Sequence, residues 1–252
     1  DSVITVTGKV VENDYVKMGG VEMIPESIEI ESIANALPIV RKEIAATKKK
    51  KAVERSSIDQ RIDYRWIDLR TDENQLMFKA QSCFVNAMRK FLLDRNFIEI
   101  HTPKLIAAAS ESGSEVFKVD YFDRNAYLAQ SPQFYKQMAM AAGFERIFET
   151  GPVFRAEKSY TNKHSTEFSG FDLEFSYITS YKDVMKMEEE LLTAGLQAVK
   201  DNYGDQIKEM FGQEVIVPTT PFPVVKLADL YKGLEEEFGY TVDESEKGDL
   251  TT

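Results

Sequence analysis

Only one cysteine, Cys83, and two histidines, His101 and His164, occur in the 252 residues. A single thiol excludes an intrachain disulfide and a C-x-x-C metal site, and two imidazoles are too few for a His-based zinc cage. No stretch approaches the ~18 consecutive apolar residues that a membrane-spanning helix needs. Positive charge is also short: 31 Lys and Arg stand against 42 Asp and Glu, a formal net charge of −11. Bulk charge therefore gives no drive towards nucleic acid, and any such contact needs a local basic patch. The opening Asp1-Ser2-Val3-Ile4-Thr5-Val6-Thr7-Gly8 lacks the basic start and apolar core of a signal peptide. These absences point to a reducing, cytoplasmic setting with no membrane partner.

What is present is ordinary for a globular chain of one or two domains, with 43% apolar and 29% charged residues. Residues 1–40 are strand-rich. Val3 to Val11 and Ser27 to Ile33 are β-branched runs with alternating polar positions, separated by the turn signal Gly19-Gly20. So few strands make a poor independent domain, so the segment reads as the end of a β-domain. From Arg41 the composition shifts to a linker carrying Lys48-Lys49-Lys50-Lys51, open to reading as a solvated tether or a phosphate-contacting patch. Met77, Ala80, Phe84, Met88 and Phe91 then form the apolar stripe of a long helix, with Asn96 as its stop. Phe97 to His101 changes to period two before Thr102-Pro103.

Beyond this point strands and helices alternate. Asn125 to Ala129 predicts a short strand, and Ser131-Pro132 predicts an N-cap followed by proline at the first helical position, with a stop near Gly143. Two strands are expected around 146–157 and 166–178. Ser180 with Asp183 predicts a capping box opening a helix over 181–201. The expected fold class is α+β: a mainly antiparallel sheet flanked by helices.

Period-two alternation in the last two strands separates Phe171, Leu173 and Phe175, a core face, from Phe168, Gly170, Asp172 and Glu174. Arg155 and Glu157 share a face of the preceding strand, opposite Phe154, and the loop between holds Lys163 and His164. Paired as a hairpin, these strands would gather a guanidinium, an imidazole, an aromatic ring and carboxylates on one surface. A guanidinium is shaped to grip phosphate through parallel hydrogen bonds, and a phenyl ring beside a glycine gives a planar base a place to lie. The same pattern also fits a solvated sheet face laced with salt bridges. Gln133 and Lys136, three apart at a helix start, are placed to hold a carboxylate; common polar residues at an exposed helix start would look alike. Ala109 to Glu115 is a small, polar loop that would suit a lid, with Glu111 as a contact.

These residues resemble a known family. Gly151-Pro152-Val153-Phe154-Arg155-Ala156-Glu157, the loop, His164-Ser165-Thr166-Glu167-Phe168 and Phe171-Asp172-Leu173-Glu174 resemble motif 2 of class II aminoacyl-tRNA synthetases. The helix ending in Phe97-Ile98-Glu99-Ile100-His101-Thr102-Pro103 resembles motif 1. Gln130-Ser131-Pro132-Gln133 with Tyr135-Lys136-Gln137 resembles the amino-acid-binding segment of the aspartyl-tRNA synthetases, and Arg65 to Arg70 resembles their hinge. The eukaryotic or archaeal branch fits best. The resemblance implies an OB-fold anticodon-binding end over 1–40, a hinge over 41–70 and the first part of a catalytic domain over 71–252. It implies attachment of L-aspartate to tRNA(Asp) through an aspartyl-adenylate, with ATP and Mg²⁺ and no metal ligand within this chain. It also implies a homodimer joined through the motif 1 helix and strand.

By the same resemblance, Arg155 is the catalytic residue and grips the α-phosphate of ATP and the aspartate carboxylate. Ala156, Glu157, Lys163, His164, Ser165 and Phe168 complete the ATP site, with Phe168 stacked on adenine. Glu111, Gln133, Phe134, Tyr135, Lys136 and Asp172 join Arg155 around the aspartate: Gln133 and Asp172 on its ammonium, Lys136 on its side-chain carboxylate. Lys163 stands where the family usually has arginine, Ser165 replaces a usual leucine, and Glu111-Ser112-Gly113 replaces Glu-Gly-Gly. The Gly-rich, arginine-bearing motif 3 is not found in the 252 residues, so this stretch alone is expected to be inactive or nearly so. Two alternatives stand beside this one: an asparaginyl-tRNA synthetase, and a non-catalytic paralogue or dimerisation module of the same fold.

Overall fold

The computed structural model of the chain describes residues 1–17, 19–41, 54–108, 116–157, 164–244 and 248. The tetralysine run, Glu111 with its loop, and Lys163 lie outside the described residues. The chain divides into two compact units, Asp1–Gln75 and Leu76–Thr252.

In the first unit, β1 (Val3–Glu12) pairs antiparallel with β2 (Val21–Ser32), from Glu12 opposite Val21 to Val3 opposite Ser32. Gly19 and Gly20 take the positive φ that the turn requires. β2 begins earlier than the predicted Ser27 run, because Lys9 to Glu12 of β1 pair with Ile24 back to Val21; Gly8 sits against Pro25 at a shift of register. A Cβ on Gly8 would lie 2.1 Å from Ile24 O, so only glycine admits this approach. Within 41–70, the described residues form two short helices, α1 (Ile58–Asp63) and α2 (Arg65–Asp68). Ser57 caps α1 by accepting from Gln60 N. Asp68 is fully buried and anchors both helices, meeting Arg65 at 2.9 Å, Arg55 at 3.4 Å and Arg61 at 3.6 Å.

α3 (Asp72–Leu93) carries the predicted stripe with one correction: Leu76 is buried and Met77 is half-exposed. The stripe steps back by four from Phe84 through Ala80 to Leu76, rather than by three to Met77. Asn96 ends the turn with φ +63°, and Phe97 enters the core. β3 (Ile98–Glu99) lies parallel to β7 (Arg146–Phe154), which pairs antiparallel with β8 (Glu167–Phe175). A second small sheet has β6 (Arg124–Leu128) between β4 (Leu105–Ile106) and β5 (Lys118–Tyr121).

The helix α4 (Gln133–Ala141) starts one residue later than predicted. Pro132 occupies the cap, and Ser131 Oγ accepts from Gln133 N at 3.4 Å. α5 (Tyr181–Phe211) opens with the predicted capping box and runs ten residues past 201 to end at Gly212 with φ +66°. α6 (Leu227–Phe238) follows. The core lies on one face of the β7–β8 pair, where Phe148, Phe171, Leu173 and Phe175 meet Phe84, Met88 and Leu92 of α3 and Leu191 of α5. The α+β class is as the sequence predicts, with β3 as a parallel edge. Among the described residues, no helix is long and apolar enough to cross a membrane.

Candidate active site

The register of β7 and β8 fixes what shares the face away from the core. Val153 stands opposite Phe168, Gly151 opposite Gly170, Glu149 opposite Asp172 and Ile147 opposite Glu174. The pairing continues one step past β7, where Arg155 N donates to Thr166 O at 3.0 Å. This sets the Arg155 guanidinium carbon 5.6 Å from the centre of the Phe168 ring. Arg155 Nε is buried and has no hydrogen-bond partner among the described residues. A buried, charged donor of this kind calls for an anion. Phe168 keeps 39% of its surface exposed, and two glycines facing each other contribute no side chains of their own to the strip beside it.

At the other end of the strip, α4 crosses the same face and delivers Lys136. Its side chain is 8% exposed, and its ammonium pairs with Asp172 Oδ1, with Glu174 Oε2 at 3.2 Å and with Leu173 O at 3.4 Å. Lys136 and Asp172, expected as separate ligands for a side-chain carboxylate and an ammonium, thus form one charge cluster together with Glu174. An incoming zwitterion meets both signs of charge there and must share them.

Between these ends lies a group the sequence reading did not single out. Glu149, 3% exposed, accepts from Thr102 N at 2.9 Å, from Thr102 Oγ1 at 2.7 Å and from Lys104 Nζ at 2.9 Å. Burial works to raise the Glu149 pKa, but these hydrogen bonds and the Lys104 charge outweigh it and hold the carboxyl below its ordinary range. Lys104 Nζ also lies 3.6 Å from where a Cβ on Gly151 would stand, so the ammonium overlies the same strip. Alternation counted back from Arg155 through Val153 and Gly151 would have placed Glu149 on this face.

The remaining candidates are distributed as follows. Ala156 and Glu157 continue from Arg155 as half-buried residues, while His164 and Ser165 are exposed at the approach to β8. Gln133 and Tyr135 are partly buried on α4. Phe134 is 50% exposed and, at ~100° per residue, points well around the helix from Gln133. No group of three or more His, Cys, Asp or Glu among the described residues is placed to hold a metal ion. The strip can thus seat a flat ring against Phe168, neutralise an anion at Arg155 and hold a zwitterion at Lys136, Asp172 and Glu174.

Residues 57–249 match the family model described as tRNA synthetases class II (D, K and N). An aspartate–tRNA(Asp/Asn) ligase of Methanopyrus kandleri is 44% identical over 95% of this chain and 54% of its own length. The asparaginyl-tRNA synthetase of Pyrococcus horikoshii, solved with asparaginyl-adenylate, matches with a TM-score of 0.83 at 30% identity, over 97% of this chain and 54% of that one. The aspartyl-tRNA synthetase of Entamoeba histolytica matches with a TM-score of 0.77 at 31% identity, over 100% of this chain and 52% of that one. The chain spans about half the length of the curated relatives it matches. With this match over most of its length, and with the residues that resemble motif 2 meeting on one sheet face, the chain belongs to the class II tRNA synthetases of the D, K and N group.

Proposed function

We propose that the protein is an aspartate–tRNA ligase, which joins L-aspartate to ATP as aspartyl-adenylate and passes it to tRNA(Asp). One observation carries the reading: on a single sheet face, a half-buried arginine whose buried Nε has no hydrogen-bond partner among the described residues lies beside a half-exposed aromatic ring, and a lysine held between carboxylates lies further along. In this reading Phe168 stacks on adenine, and Arg155 neutralises the α-phosphate and holds the aspartate carboxylate next to it as the mixed anhydride forms. Ala156, Glu157, Lys163, His164 and Ser165 serve the adenine end and the outer phosphates. Gln133 and Asp172 take the substrate ammonium. Lys136 turns part of its charge to the side-chain carboxylate, with Phe134, Tyr135 and Glu111 around it. The reaction needs little covalent work from the protein; orientation and charge neutralisation suffice. Mg²⁺ bound to the nucleotide would supply further neutralisation of the phosphates.

Residues 1–40 serve in this reading as the end of an anticodon-binding OB-fold, 41–70 as the hinge and 71–252 as part of the catalytic domain. The motif 1 helix and strand form a two-fold interface, and the protein acts in the cytoplasm. The test is aspartate-dependent exchange of pyrophosphate into ATP by the full-length protein. Arg155→Ala is expected to lower that exchange by about 10²–10³-fold or more, as for loss of a charge-stabilising donor. Wild-type activity that ignores aspartate would overturn the assignment. The likeness to the Pyrococcus horikoshii enzyme supports a second reading, asparagine activation, which the same assay decides by exchanging the amino acid.

A further inference from the structure

The strip described above holds three carboxylates and two ammonium groups: Glu149, Asp172 and Glu174 against Lys104 and Lys136. Their division is uneven. Glu149 is the ion-pair partner of Lys104 and takes both donors of Thr102, while Asp172 and Glu174 share Lys136. Yet Glu149 and Asp172 are direct cross-strand partners on the same face, a relation that brings side chains within ~5 Å at Cβ. A buried carboxylate does not stay unpaired, since desolvation without a counter-charge is too costly. Were the Lys104 ammonium absent, Glu149 would face, across the strand pair, an Asp172 already paired with Lys136, and would compete with it for that cation.

We propose that Lys104 is a positioning residue for the amino-acid end of the site: by satisfying Glu149, it keeps Lys136 committed to Asp172 and Glu174. The inference rests on the functional reading above and deepens it. Lys104 touches no substrate in this scheme; it acts through Glu149 on Lys136. Thr102 fixes the geometry, because its hydroxyl accepts from Lys104 Nζ at 3.1 Å while donating to Glu149 Oε2. The adenine end is separate, since Phe168 lies beyond Gly151 and Gly170.

A charge cycle tests this. In the full-length protein, Lys104→Met is expected to raise the KM for aspartate by about tenfold, a mid-range coupling for neighbouring groups, while the KM for ATP stays within about twofold. Lys104→Arg is expected to retain most of the wild-type KM. The double variant Lys104→Met/Glu149→Gln, which removes the orphaned carboxylate along with its partner, is expected to recover most of the loss. A merely structural role would raise both KM values together and gain nothing from the second substitution, and that result overturns the proposal. A second arm needs no catalysis: with ¹⁵N-lysine labelling, the Lys136 ammonium signal, identified by Lys136→Arg, should move in Lys104→Met and return in the double variant. An unmoved signal overturns the proposal whatever the enzyme does. A moving signal in a protein whose wild type ignores aspartate would instead condemn the functional reading alone.

Discussion

Replacing Lys136 by methionine keeps an unbranched apolar stem and deletes the charge that Asp172 and Glu174 share. The ammonium is 8% exposed and each carboxylate 30%, so the cluster is neither a surface pair nor a sealed one. Breaking a sealed pair costs about 3–5 kcal/mol, because the surviving charge stays desolvated. Losing an exposed pair costs about 0.2–1 kcal/mol. Carboxylates open to water by about a third fall between, and repulsion between two of them at i and i+2 on one face adds to the loss. A destabilisation of about 2 kcal/mol follows, read from the urea midpoint at pH 7 with an unchanged m-value. Lys136→Met/Asp172→Asn/Glu174→Gln should recover more than half of it, since no charge is then left without a partner. A loss below about 0.5 kcal/mol would refute the reasoning, because it would mean that solvent already screens the cluster as it does a surface pair. So would a triple variant no more stable than the single one, which would assign the loss to packing. In the full-length protein the single variant should lose aspartate-dependent exchange and keep its ATP affinity.

The lowered Glu149 pKa makes a signed prediction. A carboxyl depressed in the folded state contributes stability that is full above its unfolded pKa, near the ordinary 4.5, and is lost as pH falls through the lower folded value. The stability gap between wild type and Glu149→Gln, from urea midpoints, should therefore be constant from pH 7 to about 5 and shrink progressively as pH falls below the ordinary 4.5; a gap independent of pH would refute it. Asp68→Asn leaves Arg55, Arg61 and Arg65, with side chains 33%, 20% and 43% exposed, without their shared counter-charge. A loss of about 2–3 kcal/mol and faster proteolysis across 58–68 are expected, less than for a sealed cluster. Gly195→Ala puts a Cβ 2.6 Å from Phe84 Cε2 and 3.1 Å from Met88 Cγ, so about 1–3 kcal/mol of overpacking should appear in thermal melts. Phe84→Leu in the same chain should relieve part of it.

Much of the site was legible because β7 and β8 obey a two-residue period. That period alone separated Phe171, Leu173 and Phe175 from Phe168, Gly170 and Asp172, and the structure keeps the division. The capping box at Ser180 was legible for a related reason: both of its hydrogen bonds are made within four residues of chain. What the sequence did not disclose depends on contacts between distant segments. Glu149 reads as an ordinary acid in a strand until Thr102 and Lys104, more than 40 residues earlier, are brought over it. α1 and α2 are too short to show a period, and they hold because three arginines meet Asp68. Leu76 and Met77 fit the same stripe by steps of four or three, and only packing chooses between them.

Lys136 shows the same limit at the centre of the site and explains why the strip is built as it is. Its spacing from Gln133 placed both near a helix start, but nothing local said that α4 would cross β8 so that Lys136 meets Asp172 and Glu174. At ~3.3 Å per residue, Phe168 and Asp172 stand about 13 Å apart along β8. On the proposed reading that length separates a stacked base from a bound amino acid, with the facing glycines between them where a sugar and phosphate would have to lie close to the backbone. A side chain at Gly170 would meet Val153 at an ordinary 3.7 Å, so packing does not demand glycine there. On the proposed reading Gly170 is therefore better explained by what lies on it than by the fold beneath it, whereas at Gly151 a Cβ would also meet Lys104 Cε at 3.4 Å. The two glycines thus face each other for different reasons, in strands whose other described positions on this face carry isoleucine, valine, phenylalanine and charge.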